Sequence, residues 1–125
     1  MAKHDLMAFY DLPKHERMAV VEDIQQQVLQ ELRKPPPAKT VLFFQDEDTY
    51  IRKSAYLSVG RIYAAHENLR KAIITMLEGL LLAANFKIRQ TAINAAGEIG
   101  KVDFAVVQHF LIRDYLTRIT LPAMR

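Results

Sequence analysis

A chain of 125 residues, half of them apolar and a quarter charged, has the composition of one soluble globular domain and not of a disordered segment. The absence of cysteine excludes a disulfide framework and a thiolate metal site, and it fits a reducing, cytoplasmic setting. The 17 basic and 14 acidic groups leave a net charge of +3, spread along the chain with no dense basic stripe of the kind that tracks nucleic acid.

The first ten residues lack the long apolar core of a secretory signal. His4 to Tyr10 has the makings of a short first helix, and Asp11, just ahead of Leu12 and Pro13, predicts a capped start to the next. From Lys14 to Lys34 the apolar residues Met18, Val21, Ile24, Val28 and Leu32 fall on one face, opposite Glu22, Gln26, Gln30 and Arg33, which is the pattern of an amphipathic surface helix. Pro35, Pro36 and Pro37 end it, because proline lacks the amide donor and clashes with the preceding turn. A short apolar helix is predicted over Ala38 to Gln45. The most apolar run, Ala72 to Ala84, is interrupted by Glu78 and too short to span a bilayer.

The strongest signal is internal. The stretch Asp48 to Ile62 aligns with Asn85 to Ile99 at a constant offset of 37 residues. Ile51 pairs with Ile88, Arg52 with Arg89, Ala55 with Ala92, Gly60 with Gly97 and Ile62 with Ile99. Ser54 faces Thr91, and Asp48 faces Asn85, both able to cap a helix by accepting orphan backbone amides. Ile51, Ala55, Val59 and Ile62 line one face, and the two glycines, near the helix ends, permit a close approach or a turn. A second apolar helix follows each copy: Leu69, Ala72, Ile73, Met76, Leu77 and Leu80 in one, Phe104, Val107, Phe110, Leu111 and Tyr115 in the other. A fixed period of this size marks a stacked helical array, in which each hairpin's apolar face is covered by the next.

These residues resemble HEAT repeats, in the subtype shared with phycobilin-lyase-like proteins, whose pattern runs Asp-x-Asp/Asn-Pro-x-Val-Arg-x-x-Ala-x-x-Ala-Leu-Gly-x-Ile-Gly. The match covers Asp46 to Leu116, with Asp46, Asp48, Ile51, Arg52, Ala55, Gly60 and Ile62 in the first copy and Asn85, Ile88, Arg89, Ala92, Gly97, Ile99 and Gly100 in the second. The resemblance implies an all-α fold, an α-α superhelix of about three stacked helix pairs plus a short N-terminal helix. It implies a single domain over 1–125, with a divergent pair at 14–45 and repeats at 46–84 and 85–118. It further implies that a loop aspartate and the arginine form a ladder of paired charges. Asp46, Arg52 and Arg89 fit that ladder, whereas Ala83 replaces its second Asp, and Thr49 and Phe86 replace the usual loop proline. The last helix carries Ile112, Tyr115, Leu116 and Ile119 with no polar cap after it, which predicts an end covered by a second copy or by more of a longer solenoid.

The candidate functional residues follow from the same frame. In HEAT stacks the second helices line the concave side, which here offers Arg70, Lys71, Ile74, Thr75 and Glu78, then Gln108, His109, Ile112 and Arg113, with Thr117 and Arg118 beyond. Arginine, apolar and hydrogen-bonding residues together suit a protein interface better than a phosphate track, and a plain solvated face is the competing reading. Arg52 and Arg89 read as stack-internal pairing before anion sites. Tyr50, Tyr56, Tyr63 and Phe86 read as part core or surface before base-stacking platforms. His15-Glu16 and His66-Glu67 are similar to the ligand pairs of the di-iron HEAT enzyme deoxyhypusine hydroxylase. The matching helix positions, however, hold Arg52-Lys53-Ser54 and Arg89-Gln90-Thr91. No phosphate loop, zinc helix or nucleophile turn is present. The expectation is a non-catalytic scaffold or adaptor without metal or cofactor, binding another protein on its concave face. The alternative is a nucleic-acid binder resembling the HEAT-like DNA alkylation-repair glycosylases. Those lean on a groove tryptophan, and this chain has none.

Overall fold

The computed structural model describes residues 8–109 and Ile112. Among them the chain is helical throughout with no strand: α1 Lys14–Arg33, α2 Ala38–Phe44, α3 Thr49–Ala65, α4 Arg70–Leu80, α5 Phe86–Gly100, and α6 over 104–109. Two single 3-10 turns, Phe9–Asp11 and Glu67–Leu69, lead into α1 and α4. No helix among the described residues is long and apolar enough to cross a membrane. Residues 4–7 of the expected first helix lie outside the described residues.

α3 sits between α1 and α5 and packs on both, while α2 lies across α1, α3 and α5, and α4 against α5 and α3. The helices α1, α3 and α5 thus form one layer, with α2 and α4 packed against it and the core between. Ile24 and Val28 of α1, Phe44 of α2, Ile51, Ala55, Val59 and Ile62 of α3, Ile73 and Leu77 of α4, and Ala92, Ala95, Ala96 and Ile99 of α5 are all buried there. Each fully buried isoleucine or leucine contributes roughly 1.5–3 kcal/mol, so this shared seam dominates the stability. The alanines of α5, with their small side chains, let α3 approach closely.

The local signals act at the helix starts. Asp48 Oδ1 accepts from the Tyr50 amide at 2.9 Å, and Asn85 Oδ1 accepts from the Ile88 amide at 3.1 Å, so the equivalent residues cap equivalent helices. Asp48 does more: its Oδ2 accepts from the Phe9 amide at 2.7 Å and ties the N-terminal turn to α3. Phe9, Tyr10 and Tyr50 close an aromatic cluster there, with the Arg17 guanidinium 5.0 Å above the Tyr10 ring.

Several expectations are corrected. Asp11 does not cap α1: it lies within the 3-10 turn, and Pro13 occupies the cap position with no side-chain bond. Met18 lies outside the core at 62% exposure, because α1 turns its Ile24, Val28 and Leu32 stretch inward and leaves its first turns on the surface. Phe104 is likewise exposed, whereas Val107 is buried. Phe110, Leu111 and Tyr115 lie outside the described residues.

α2 is short and has no capping side chain of its own. Glu31 of α1 supplies it: Oε2 accepts from the Lys39 amide, and Oε1 accepts from both the Thr40 amide and the Thr40 hydroxyl, each at 2.8 Å. Thr40 is fully buried, so this bond satisfies a hydroxyl that water cannot reach.

Candidate functional site: a groove beside α4

The arginines shared by the two copies have the same partners. Arg52 Nη1 donates to the carbonyls of Asp46 and Glu47, and its Nη2 donates to Thr49 Oγ1. Arg89 Nη1 donates to the carbonyls of Ala83 and Ala84, each at 2.8 Å. Residues 46 and 47 stand 37 positions before 83 and 84, so the clasp repeats atom for atom on the backbone. This explains how Ala83 replaces an aspartate without loss of the contact. Both guanidiniums are occupied in holding the loop that enters their helix. Thr91 Oγ1 lies within hydrogen-bonding distance of the carbonyls of Lys87, 2.7 Å, and Phe44, 3.0 Å, and pins α5 to the end of α2.

The polar residues of the α4 side divide into two groups. Arg70 is turned inward: its Nε donates to the Tyr63 carbonyl at 2.9 Å, its guanidinium sits 4.8 Å from the Tyr63 ring centre, and Glu67 lies 4.0 Å away. Tyr63 in turn donates to Asp103 Oδ2 at 2.6 Å. Burial pushes the Tyr63 phenol up to about 12, and the hydrogen bond and negative charge of Asp103 add to the rise, with Arg70 opposing it. Asp103 Oδ1 also lies 3.4 Å from the Val106 amide, at the start of α6. Tyr63, Arg70 and Asp103 therefore lock α3, the turn before α4 and the start of α6 together, and Arg70 acts as a structural residue. Ile74 is half-buried against the core.

Lys71 and Thr75, one turn apart, are exposed and open onto a groove of about 530 Å³. The opposite wall is formed by Leu32 at the end of α1 and by Pro35 and Pro37 of the connecting loop. Ala72 and Met76 of α4 supply apolar surface between the walls, and Asn68 and Glu31 complete the lining. Gln108, His109 and Ile112 are exposed on α6 and beyond but take no part in this lining. Arg113, Thr117 and Arg118 lie outside the described residues. The sequence-derived surface thus separates into a groove pair, a structural arginine and a distinct α6 face.

Sequence reasoning misses the prolines as functional candidates, because in the sequence they read only as a helix stop. Three consecutive prolines also make a stiff loop that presents apolar rings, and that is the available signal. Tyr50 belongs to the N-terminal aromatic cluster, Tyr56 is half-buried, Tyr63 is buried, and Phe86 is exposed beneath the Arg89 guanidinium at 5.8 Å. Among the described residues no group of three or more His, Asp or Glu converges as metal ligands would. The chain matches no protein-family model, no curated protein and no solved structure.

Proposed function

We propose that this chain is a HEAT-type helical array, wound as an α-α superhelix, that acts as a non-catalytic module holding a partner protein in the groove beside α4. The groove itself carries the reading. Its walls are apolar, from Leu32, Pro35, Pro37, Ala72 and Met76, while Lys71, Thr75 and Asn68 supply polar groups beside them. That arrangement of apolar centre and polar margin is the anatomy of a protein interface. Proline fixes its own backbone, so little ordering cost is incurred when this wall is covered.

Charge narrows the partner. The segments that bound the groove carry Arg33, Lys34, Lys39, Arg70 and Lys71 against Glu31, Glu67 and Glu78, and the Glu31 carboxylate is taken up by three hydrogen bonds to Lys39 and Thr40 while Glu67 lies beside Arg70. An apolar segment flanked by Asp or Glu fits that balance best. The HEAT reading draws support from the repeated cap and the repeated arginine clasp at a spacing of 37 residues.

The experiment is affinity capture from lysate, with and without nuclease, on the wild type, on Thr75→Arg, which fills the groove, and on Gln26→Arg, on the exposed face of α1. Thr75 and Gln26 are both exposed, so each variant keeps its stability within about 0.5 kcal/mol. Proteins retained by the wild type and by Gln26→Arg, and lost by Thr75→Arg, identify the partner. An identical set on all three sinks the groove reading. Capture of nucleic acid alone, abolished by nuclease, moves the function to the nucleic-acid class.

A further inference from the structure

The two walls of the α4 groove have no backbone groups to offer an extended chain. On one side Lys71, Ala72, Thr75 and Met76 belong to α4, whose amides and carbonyls serve its own hydrogen-bond ladder. On the other side the Lys34 amide goes to the Gln30 carbonyl at 2.9 Å, and Pro35, Pro36 and Pro37 have no amide at all. The Pro37 carbonyl accepts from the Val41 amide at 3.0 Å, and the Lys39 and Thr40 amides go to Glu31, each at 2.8 Å. A strand laid here would bury its own amides and carbonyls against apolar walls without partners. A polyproline segment would find no aromatic ring in the lining to dock on. A helix satisfies its backbone internally and needs neither.

Charge decides whose helix it is. Among the described residues no ion pair engages Arg33, Lys34, Lys39 or Lys71. The residues after His109 carry Arg113, Arg118 and Arg125 against Asp114, so the chain's own C-terminal segment repeats the charge of the groove. A second copy, with a net charge of +3, does the same. The residues before Ala8, Met1 to Met7, span at most about 25 Å when fully extended. That is short of the length of α1, about 30 Å, that separates them from the groove. An acidic segment of another protein is the occupant that complements the site.

We propose that the α4 groove takes a short amphipathic helix of a partner protein, with apolar side chains at i, i+3 or i+4 and i+7 and with Asp or Glu beside them. This rests on the α4 groove being the docking site. The apolar stripe of that helix lies between Leu32, Pro35 and Pro37 on one side and Ala72 and Met76 on the other, and its carboxylates meet Lys71 and Lys34. The lining runs from Asn68 to Met76, about 12 Å of helical rise, which matches about two turns of an opposing helix. So short a helix does not persist alone in water, and it forms as it docks.

The test is selection on the full chain from a phage library of random peptides of about 15 residues, long enough to form the helix. Peptides that also bind Thr75→Arg, a variant checked to melt like the wild type, are discarded. The expected survivors carry apolar residues at helical spacing, flanking Asp or Glu, and no internal proline. A synthetic peptide of their consensus is expected to bind in the micromolar range or weaker, because its ordering opposes binding. Proline at a solvent-facing position in its middle is expected to weaken binding about a hundredfold, and alanine there by less than about twofold. Lys71→Glu is expected to weaken it about threefold to tenfold at low salt, a difference that shrinks as salt is added. Survivors that are proline-rich, alternate in polarity or are basic overturn the proposal. So does a synthetic peptide of residues 110–125 that binds the groove as tightly as the consensus. If the lysate partner depends on Thr75 while the survivors are extended, the groove stands and only the helix falls. If no survivor depends on Thr75, the groove falls with it.

Discussion

At their N-termini α3 and α5 are nearly interchangeable. Asp48 and Asn85 cap them, and Arg52 and Arg89 reach back to carbonyls at matching positions. Further along, the likeness breaks. Gly60 is pressed against Glu98, whereas Gly97 meets no described neighbour, and Tyr63 of α3 holds Asp103 where its counterpart Gly100 has no side chain to offer. What recurs is the hardware that starts a helix and fixes its loop. What differs is the side each helix shows to its next neighbour, and that depends on what lies beyond it.

The largest effect is expected where the two glycines are replaced. Gly60→Leu forces α5 away from α3 and is expected to cost about 3 kcal/mol or more in urea denaturation. Gly97→Leu, with no described atom within 4 Å of its Cβ, is expected to gain about 0.5–1 kcal/mol from helix propensity. Equal losses at both positions would show that Gly97 is also crowded, and the asymmetry would be gone.

The arginine clasps are expected to respond alike. Arg52→Ala and Arg89→Ala each remove charge-assisted bonds to two loop carbonyls, a loss of about 1.5–3 kcal/mol apiece. If Arg52→Ala proved several times costlier, the Asp46 side chain would be contributing what Ala83 cannot, and the loops would differ more than their backbones do.

The smallest effect concerns Tyr63, which has no counterpart in α5. Its phenol is raised from 10.0 to about 12 in the folded chain, so the protonated form is the one the fold favours. That contribution is complete below pH 10 and is lost as the pH climbs through about 12. Melting temperatures followed from pH 8 upward should fall more steeply above pH 10 for the wild type than for Tyr63→Phe. Parallel curves would mean that neither the burial of the phenol nor Asp103 discriminates between the two protonation states.

Much of the fold was legible because its signals are local. The caps at Asp48 and Asn85, the proline stop and the Ile24, Val28 and Leu32 part of the α1 stripe each depend on residues close in sequence, and each is realised in the helices observed, as are the two equivalent helices at the 37-residue offset. Asp11 failed as a cap because Pro13 fixes the start of α1 two residues later. The site was less legible. Lys71 and Thr75 could be placed on an open face from helical spacing, but the opposing wall comes from Leu32, Pro35 and Pro37, some 40 residues earlier. Arg70 was indistinguishable from Lys71 until Tyr63 was seen beneath it. No periodicity reports which of two adjacent cations turns inward.

Glu31 has a consequence for the order in which the chain folds. A helix of seven residues is well below the length that persists by itself in water, and the opening amides of α2 are satisfied by a carboxylate that belongs to α1. The twenty residues of α1 contain their own hydrogen-bond ladder and can nucleate alone. α2 is therefore conditional on α1, and the first hairpin assembles in one direction, from its long arm to its short one.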